Sequence, residues 1–108
     1  MSASDSTGPI VSELVQEDPS FADILTDFVE QLPHRVRQFE ETLEANDLAA
    51  LTSYAHQLKG SGGGYGFPML TELGGRLEQA AQAAQLEECA RALDELKSIV
   101  ARVVVLPE

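Results

Sequence analysis

A histidine and a lysine stand one helical turn apart at His56 and Lys59, with Gly60, Ser61, Gly62, Gly63 and Gly64 directly behind them. The reference pKa of a histidine side chain is about 6.5, so near neutral pH a solvated imidazole is mostly uncharged and one ring nitrogen carries a free lone pair. Such a ring is a nucleophile. An ammonium one turn away would attract an anionic group such as a phosphoryl and disfavour protonation of the imidazole. Glycines beside the pair would leave room for a second protein to bring its own reactive group to the ring. Taken singly these features are ordinary: a lone surface histidine is usually just solvated, and GSGGG reads equally well as a flexible loop. Their combination points to chemistry.

The glycines pose a question about the element that carries them. Glycine inside a helix costs roughly 1 kcal/mol relative to alanine, so four of them cost up to about 4 kcal/mol if the helix continues. Either the helix stops at Gly60 or something requires those side chains to be absent. At about 100° per residue, Leu51, Ala55, Leu58, Gly62 and Tyr65 cluster on the side opposite His56 and form the core stripe. Ala49, Thr52, Ser53, Lys59, Gly60, Gly63 and Phe67 share the sector of the histidine, which therefore faces solvent. His56, Lys59 and Gly60 are the candidate reactive centre. Ser53, Gln57, Gly63, Gly64 and Phe67 are the candidate partner-binding rim, with Met69 beside them, although Phe67 is equally suited to core packing. Tyr65 is expected to pack inward with its hydroxyl at the edge.

Around this stretch the apolar residues recur at helical spacing. Residues 1–8, MSASDSTG, read as a disordered arm, and the remaining domain is expected over 9–106. Pro9 to Glu17 suits either a short helix or an extended segment. Asp18 and Pro19 form a helix start signal. Phe21, Ile24, Leu25, Phe28, Val29, Leu32, Val36, Phe39 and Leu43 then mark one long helix, with a kink expected near Val29 because of Pro33. Asn46 and Asp47 supply a turn and a cap for the helix of His56. Gly66-Phe67-Pro68 marks the next boundary. A third helix follows from about Phe67 to Ala84, whose Gly74-Gly75 pair would let a neighbour approach closely. The last helix is expected over Leu86 to Val104, with Leu86, Cys89, Ala90, Leu93, Leu96, Val100 and Val103 on its inner side. The VVV run near its end is β-prone but continues the helical stripe and is too short to pair alone. Four amphipathic helices with short connections make an all-α, antiparallel four-helix bundle, preceded by the short extra helix or extended segment.

Size and charge narrow the function. A chain of 108 residues is one domain by length. A net charge of −11 argues against nucleic acid and against anionic membrane surfaces, and otherwise serves solubility. One cysteine, Cys89, has no disulfide partner and no CxxC companion. With no targeting pattern and no apolar span, the expected location is cytoplasmic.

His56-Gln57-Leu58-Lys59-Gly60-Ser61, with Gly66 ten positions after the histidine, resembles the signature of the histidine-containing phosphotransfer domain family of multistep phosphorelays. FVEQLPHRVRQFEETLEANDLAAL resembles the family's preceding helix, internal proline included, and Leu77-Glu78 its "LE" in the following one. The resemblance covers about Pro9 to Val104. It implies a four-helix bundle with a short N-terminal helix, and an active-site helix that continues through the glycines to about Tyr65. It also implies that His56 accepts a phosphoryl group from a receiver-domain aspartate and returns it to another. Lys59 would be the phosphate-facing charge and Gly60 the clearance. The implied partners are response-regulator receiver domains and a hybrid histidine kinase, with a monomeric chain and no cofactor of its own; Mg²⁺ is expected on the receiver. Gly62-Gly63-Gly64 departs from the Ser, Ala or Asn of many members.

Other readings fit less well. The dimerising histidine domain of a sensor kinase usually has an acidic residue after the histidine and a proline soon after, where this chain has Gln57 and Gly60. A di-iron bundle needs Glu-x-x-His pairs, but Gln31 precedes His34 and Ser53 precedes His56 at that spacing. GSGGGYG lacks the P-loop lysine and follows no strand. The alternative kept open is an HPt-like adaptor that binds a signalling partner without relaying phosphate.

Overall fold

The computed structural model describes residues 8–106, so the expected arm lies outside it except for Gly8. Strand β1 (Ile10–Val11) leads into α1 (Glu13–Glu17), then a single 3-10 turn (Pro19–Phe21) opens α2 (Ala22–Glu44). Helices α3 (Leu48–Gly64), α4 (Pro68–Gln82) and α5 (Leu86–Val100) follow, and β2 (Val103–Val104) closes the chain. Pro9 to Glu17 thus holds both alternatives, an extended start and a short helix. Asp18 caps as its type demands, its side chain accepting from the Ser20 amide at 3.0 Å. Asp47 does the same for α3, accepting from the Ala50 amide at 3.2 Å.

The three connections between the long helices are one motif used three times. After α2, α3 and α4 the chain passes through a single left-handed residue: Asn46 at φ 56°, Gly66 at φ 85° and Ala84 at φ 57°. In each case the next amide reaches back over the turn, Asp47 to Thr42, Phe67 to Gly62 and Gln85 to Ala80, all at 2.8 Å. This is the Schellman closure, which satisfies the last carbonyls of a helix and reverses the chain at once. The same residue that completes the closure then begins the next helix. Connections this short force successive helices antiparallel.

The four long helices pack in a ring, α2 on α3, α3 on α4, α4 on α5 and α5 back on α2. Their inner faces supply the core, including Leu25, Phe39, Leu51, Leu58, Leu77 and Leu96, each at most 1 % exposed. The fold is the all-α bundle that the apolar spacing requires. Helix α2 runs unbroken through Pro33, whose ring lies on the exposed side.

Three expectations from periodicity are corrected. Ile24 and Leu86 are 58 % and 46 % exposed, and Ala90 is exposed, because each sits at the edge of a stripe whose centre suffices to fill the core. Helix α5 stops at Val100 instead of Val104. Val103 and Val104 leave the helix to pair in parallel with Ile10 and Val11, so the short strand has a partner after all, one supplied from the other end of the chain. Arg102 strengthens the junction, its Nε donating to the Gly8 carbonyl at 2.8 Å. Among the described residues no helix is long and apolar enough to cross a membrane.

Candidate functional site

Helix α3 continues through all of its glycines to Gly64, with Tyr65 as its C-cap. Contacts from outside the helix offset the intrinsic cost of roughly 1 kcal/mol per glycine. The Thr71 hydroxyl on α4 donates to the Lys59 carbonyl at 3.1 Å. At the C-terminal end the fully buried Ser12 donates from its hydroxyl to the Tyr65 carbonyl at 2.6 Å, and the Glu13 amide donates to the Gly66 carbonyl at 2.9 Å. Gly66 admits no side chain: besides its left-handed φ, a Cβ there would lie 2.4 Å from the Ser12 hydroxyl.

The seam between α3 and α4 is built on absent side chains. A Cβ at Gly62 would sit 2.7 Å from the Leu70 Cβ, and one at Gly74 would sit 2.6 Å from the Lys59 backbone nitrogen. Backbone therefore meets backbone beside the histidine. The close neighbour expected at Gly74 is α3 itself. Gly75 is less critical, its nearest potential contact being the Lys59 Cδ at 3.8 Å.

This approach brings Glu78 of α4 to the two residues singled out on α3. His56 is 72 % exposed in its side chain, and its Nδ1 lies 2.9 Å from Glu78 Oε2. Lys59 Nζ donates to the other oxygen, Oε1, at 3.3 Å. The ring hydrogen bond lowers the Glu78 pKa below the usual glutamate value, partial burial opposes it, and Lys59 adds to the lowering. Near neutral pH Glu78 is thus an ionised carboxylate, which can only accept. The hydrogen must then be on Nδ1, and the Nε2 lone pair is left unbonded. No other hydrogen-bond partner for the ring exists among the described residues.

The remaining candidates divide by position. Ser53, Gln57, Gly60, Gly63 and Gly64 are all exposed on α3 with His56. At Gly60 and Gly64 a Cβ would meet nothing within 4 Å, so nothing inside the domain explains why these two lack side chains. Gly63 differs, because a Cβ there would press to 2.9 Å on the Thr71 hydroxyl. Phe67 is corrected outright: it is fully buried, lies 5.9 Å from the Phe28 ring and forms no part of an exposed rim. Extrapolating the phase of α3 to residue 67 fails because the helix ends at Gly64 and Gly66 turns the chain. Met69 is half-buried against the core. Tyr65 stacks on Phe28 at 4.4 Å and stays partly exposed, as its amphipathic ring favours. His34 is exposed on α2, outside the cluster.

Sequence reasoning missed the role of Glu78. Its signal was present in the Leu77-Glu78 pair, where Leu77 faces the core and Glu78, one residue on, emerges at the α3 seam. No curated protein and no solved structure matches the chain. The profile of the Hpt domain matches residues 23–105. That match begins in the first turn of α2 and ends just past β2, so it takes in the whole helical ring around His56. The chain belongs to the Hpt domain family, the histidine phosphotransfer modules of phosphorelays.

Proposed function

We propose that this chain relays a phosphoryl group between receiver-domain aspartates, with His56 as the residue that carries it. The observation that supports this most is the ring's arrangement: 72 % exposed, tied through Nδ1 to Glu78, with Nε2 unbonded. Nε2 attacks phosphorus in line, the bond from phosphorus to the aspartyl oxygen breaks, and its electron pair leaves with the carboxylate. The reverse step loads the next aspartate. Positioning and charge dominate such transfers, and the scaffold has little covalent work to do. Lys59 supplies the positive charge for the phosphoryl oxygens, and Gly60 keeps the approach clear. Ser53, Gln57, Gly63 and Gly64 form the surrounding contact surface for the receiver.

The chain is a relay intermediate and not a free-standing enzyme. It works as a monomer in the cytoplasm with receiver domains and a hybrid histidine kinase, and Mg²⁺ belongs to the receiver's acidic pocket. Incubation with a radiolabelled phosphoreceiver, without ATP, should transfer label to this chain. His56→Gln should abolish that transfer and leave the helical circular dichroism unchanged. Label on the His56→Gln protein would overturn the assignment. A wild-type chain that binds receivers but takes no label would make it an adaptor.

A further inference from the structure

Helix α4 holds the backbone of Lys59 on two sides. A Cβ at Gly74 would lie 2.6 Å from the Lys59 nitrogen and 2.8 Å from its Cα, so the front of the residue rests on bare backbone. Its carbonyl accepts from the Thr71 hydroxyl at 3.1 Å. The stem then runs along α4, with its Cδ 3.8 Å from where a Gly75 Cβ would stand. Directly behind come Gly60, Gly62, Gly63 and Gly64, the residue type least able to keep a backbone direction on its own. Of the holds on Lys59 itself, the Thr71 bond is the one on the glycine side. Gly63 belongs to the same contact. A Cβ there would lie 2.9 Å from the Thr71 hydroxyl, the end of a side chain that can relieve the clash by rotating. That rotation takes the hydroxyl off the Lys59 carbonyl.

Resting on the relay reading above, we propose that Thr71 is a positioning residue for phosphotransfer that acts through Lys59, and that Gly63 lacks a side chain so that the Thr71 hydroxyl can stay in place. A long, flexible stem separates the Lys59 backbone from its charge, so a small turn at the root becomes a larger displacement of the ammonium. Transfer depends on that ammonium meeting the phosphoryl oxygens, and a misplacement of about 1 Å costs a positioned reaction heavily. The fixed root supplies the direction that the lysine side chain lacks. Thr71 stands behind Lys59 and needs no contact with phosphorus to do this. The exposed glycines thus divide: Gly60 and Gly64 leave space for a partner, whereas Gly63 also leaves space for Thr71.

The test compares the full chain with Thr71→Val, which keeps the shape and loses the hydroxyl, with Thr71→Ser, which keeps the hydroxyl, and with Gly63→Ala. Carbon-13 relaxation of the Lys59 side chain reads its freedom without requiring any phosphotransfer. That freedom should increase in Thr71→Val and Gly63→Ala and stay at the wild-type value in Thr71→Ser. Phosphoramidate, a donor with no protein surface, then loads His56. Thr71→Val and Gly63→Ala should take up phosphate about fivefold more slowly, the scale of one hydrogen bond, and Thr71→Ser at nearly the wild-type rate. On a Lys59→Ala background Thr71→Val should add nothing, because an effect that passes through the lysine vanishes with it. Unchanged Lys59 motion in Thr71→Val, or an equal slowing with and without the lysine, would overturn this proposal and leave the relay intact. Wild-type motion and rate in Gly63→Ala would overturn the part given to Gly63. A wild-type chain that no phosphorylated receiver can label would overturn the relay and this proposal together.

Discussion

Helix α4 has two neighbours in sequence, α3 before it and α5 after it, and both are joined to it by the same closure through one left-handed residue. Beyond the turns the two pairs differ. Against α3, α4 presents Gly74 to backbone, and α3 returns Gly62 to the Leu70 Cβ, so the two axes cannot shift without collision or a void. Against α5 the outer contact is made by flexible tips: Arg76 bonds Glu88 at 3.0 Å and Glu95 at 2.9 Å, all three partly exposed. His56, Lys59 and Glu78 lie across the first seam and not the second. Two hydrogen bonds to one carboxylate need a spacing held to fractions of an ångström, and backbone contact holds it better than long side chains do.

The largest expected effect comes from forcing the tight seam apart. Gly74→Ala sets a methyl group against the Lys59 backbone and should cost about 1–3 kcal/mol in chemical denaturation, as overpacked cores do. It should also detach Glu78 from His56, visible as a change in the ring's nitrogen-15 shifts. If the protein keeps its full stability, the seam is looser than described. Next is the turn of the other pair, where Ala84 sits at φ 57°. Left-handed backbone costs an L-residue with a Cβ about 1 kcal/mol, so Ala84→Gly should raise stability by up to that amount without touching phosphotransfer.

Gly60→Ala separates glycines that pack from glycines that clear a path. A Cβ there meets nothing, so the variant should gain about 0.5–1 kcal/mol from the better helix former. Its uptake of phosphate from a phosphoreceiver should nevertheless slow, while uptake from phosphoramidate stays unchanged. An equal loss with both donors would mean that Gly60 serves the ring itself and not the partner. The smallest effect belongs to the flexible seam: Arg76→Gln should cost no more than about 0.5 kcal/mol, since its partners are solvent-screened. A larger loss would erase the contrast between the two seams.

Much of this arrangement was legible in the residues, for identifiable reasons. Asp18, Asp47 and Pro68 each mark a helix start by local chemistry, and each does so in the structure. The outward direction of His56 followed from phase alone, because it lies in mid-helix with the core stripe well populated on the opposite side. Local rules failed where the deciding partner is distant in sequence. The continuation of α3 through its glycines depends on Ser12 and Thr71, and glycine propensity alone would have stopped it; only the family resemblance pointed the right way. Phe67 faces the core because Gly66 resets the phase, and Val103 pairs because Ile10 is brought alongside. Glu78 is one more surface glutamate until α4 is laid against α3, so its two hydrogen bonds follow from packing and not from pattern.

The buried Ser12 carries a practical consequence. The stretch shared with the family begins at residue 23, yet the hydroxyl that bolts down the end of α3 comes from eleven positions earlier. A recombinant fragment trimmed to the shared stretch would discard that bolt together with Val15 and the Ile10–Val11 half of the terminal clip. The last turn of α3, already rich in glycine, would fray in solution, and kinetics recorded on such a fragment would describe a damaged domain. For this chain the unit of likeness is smaller than the unit of folding.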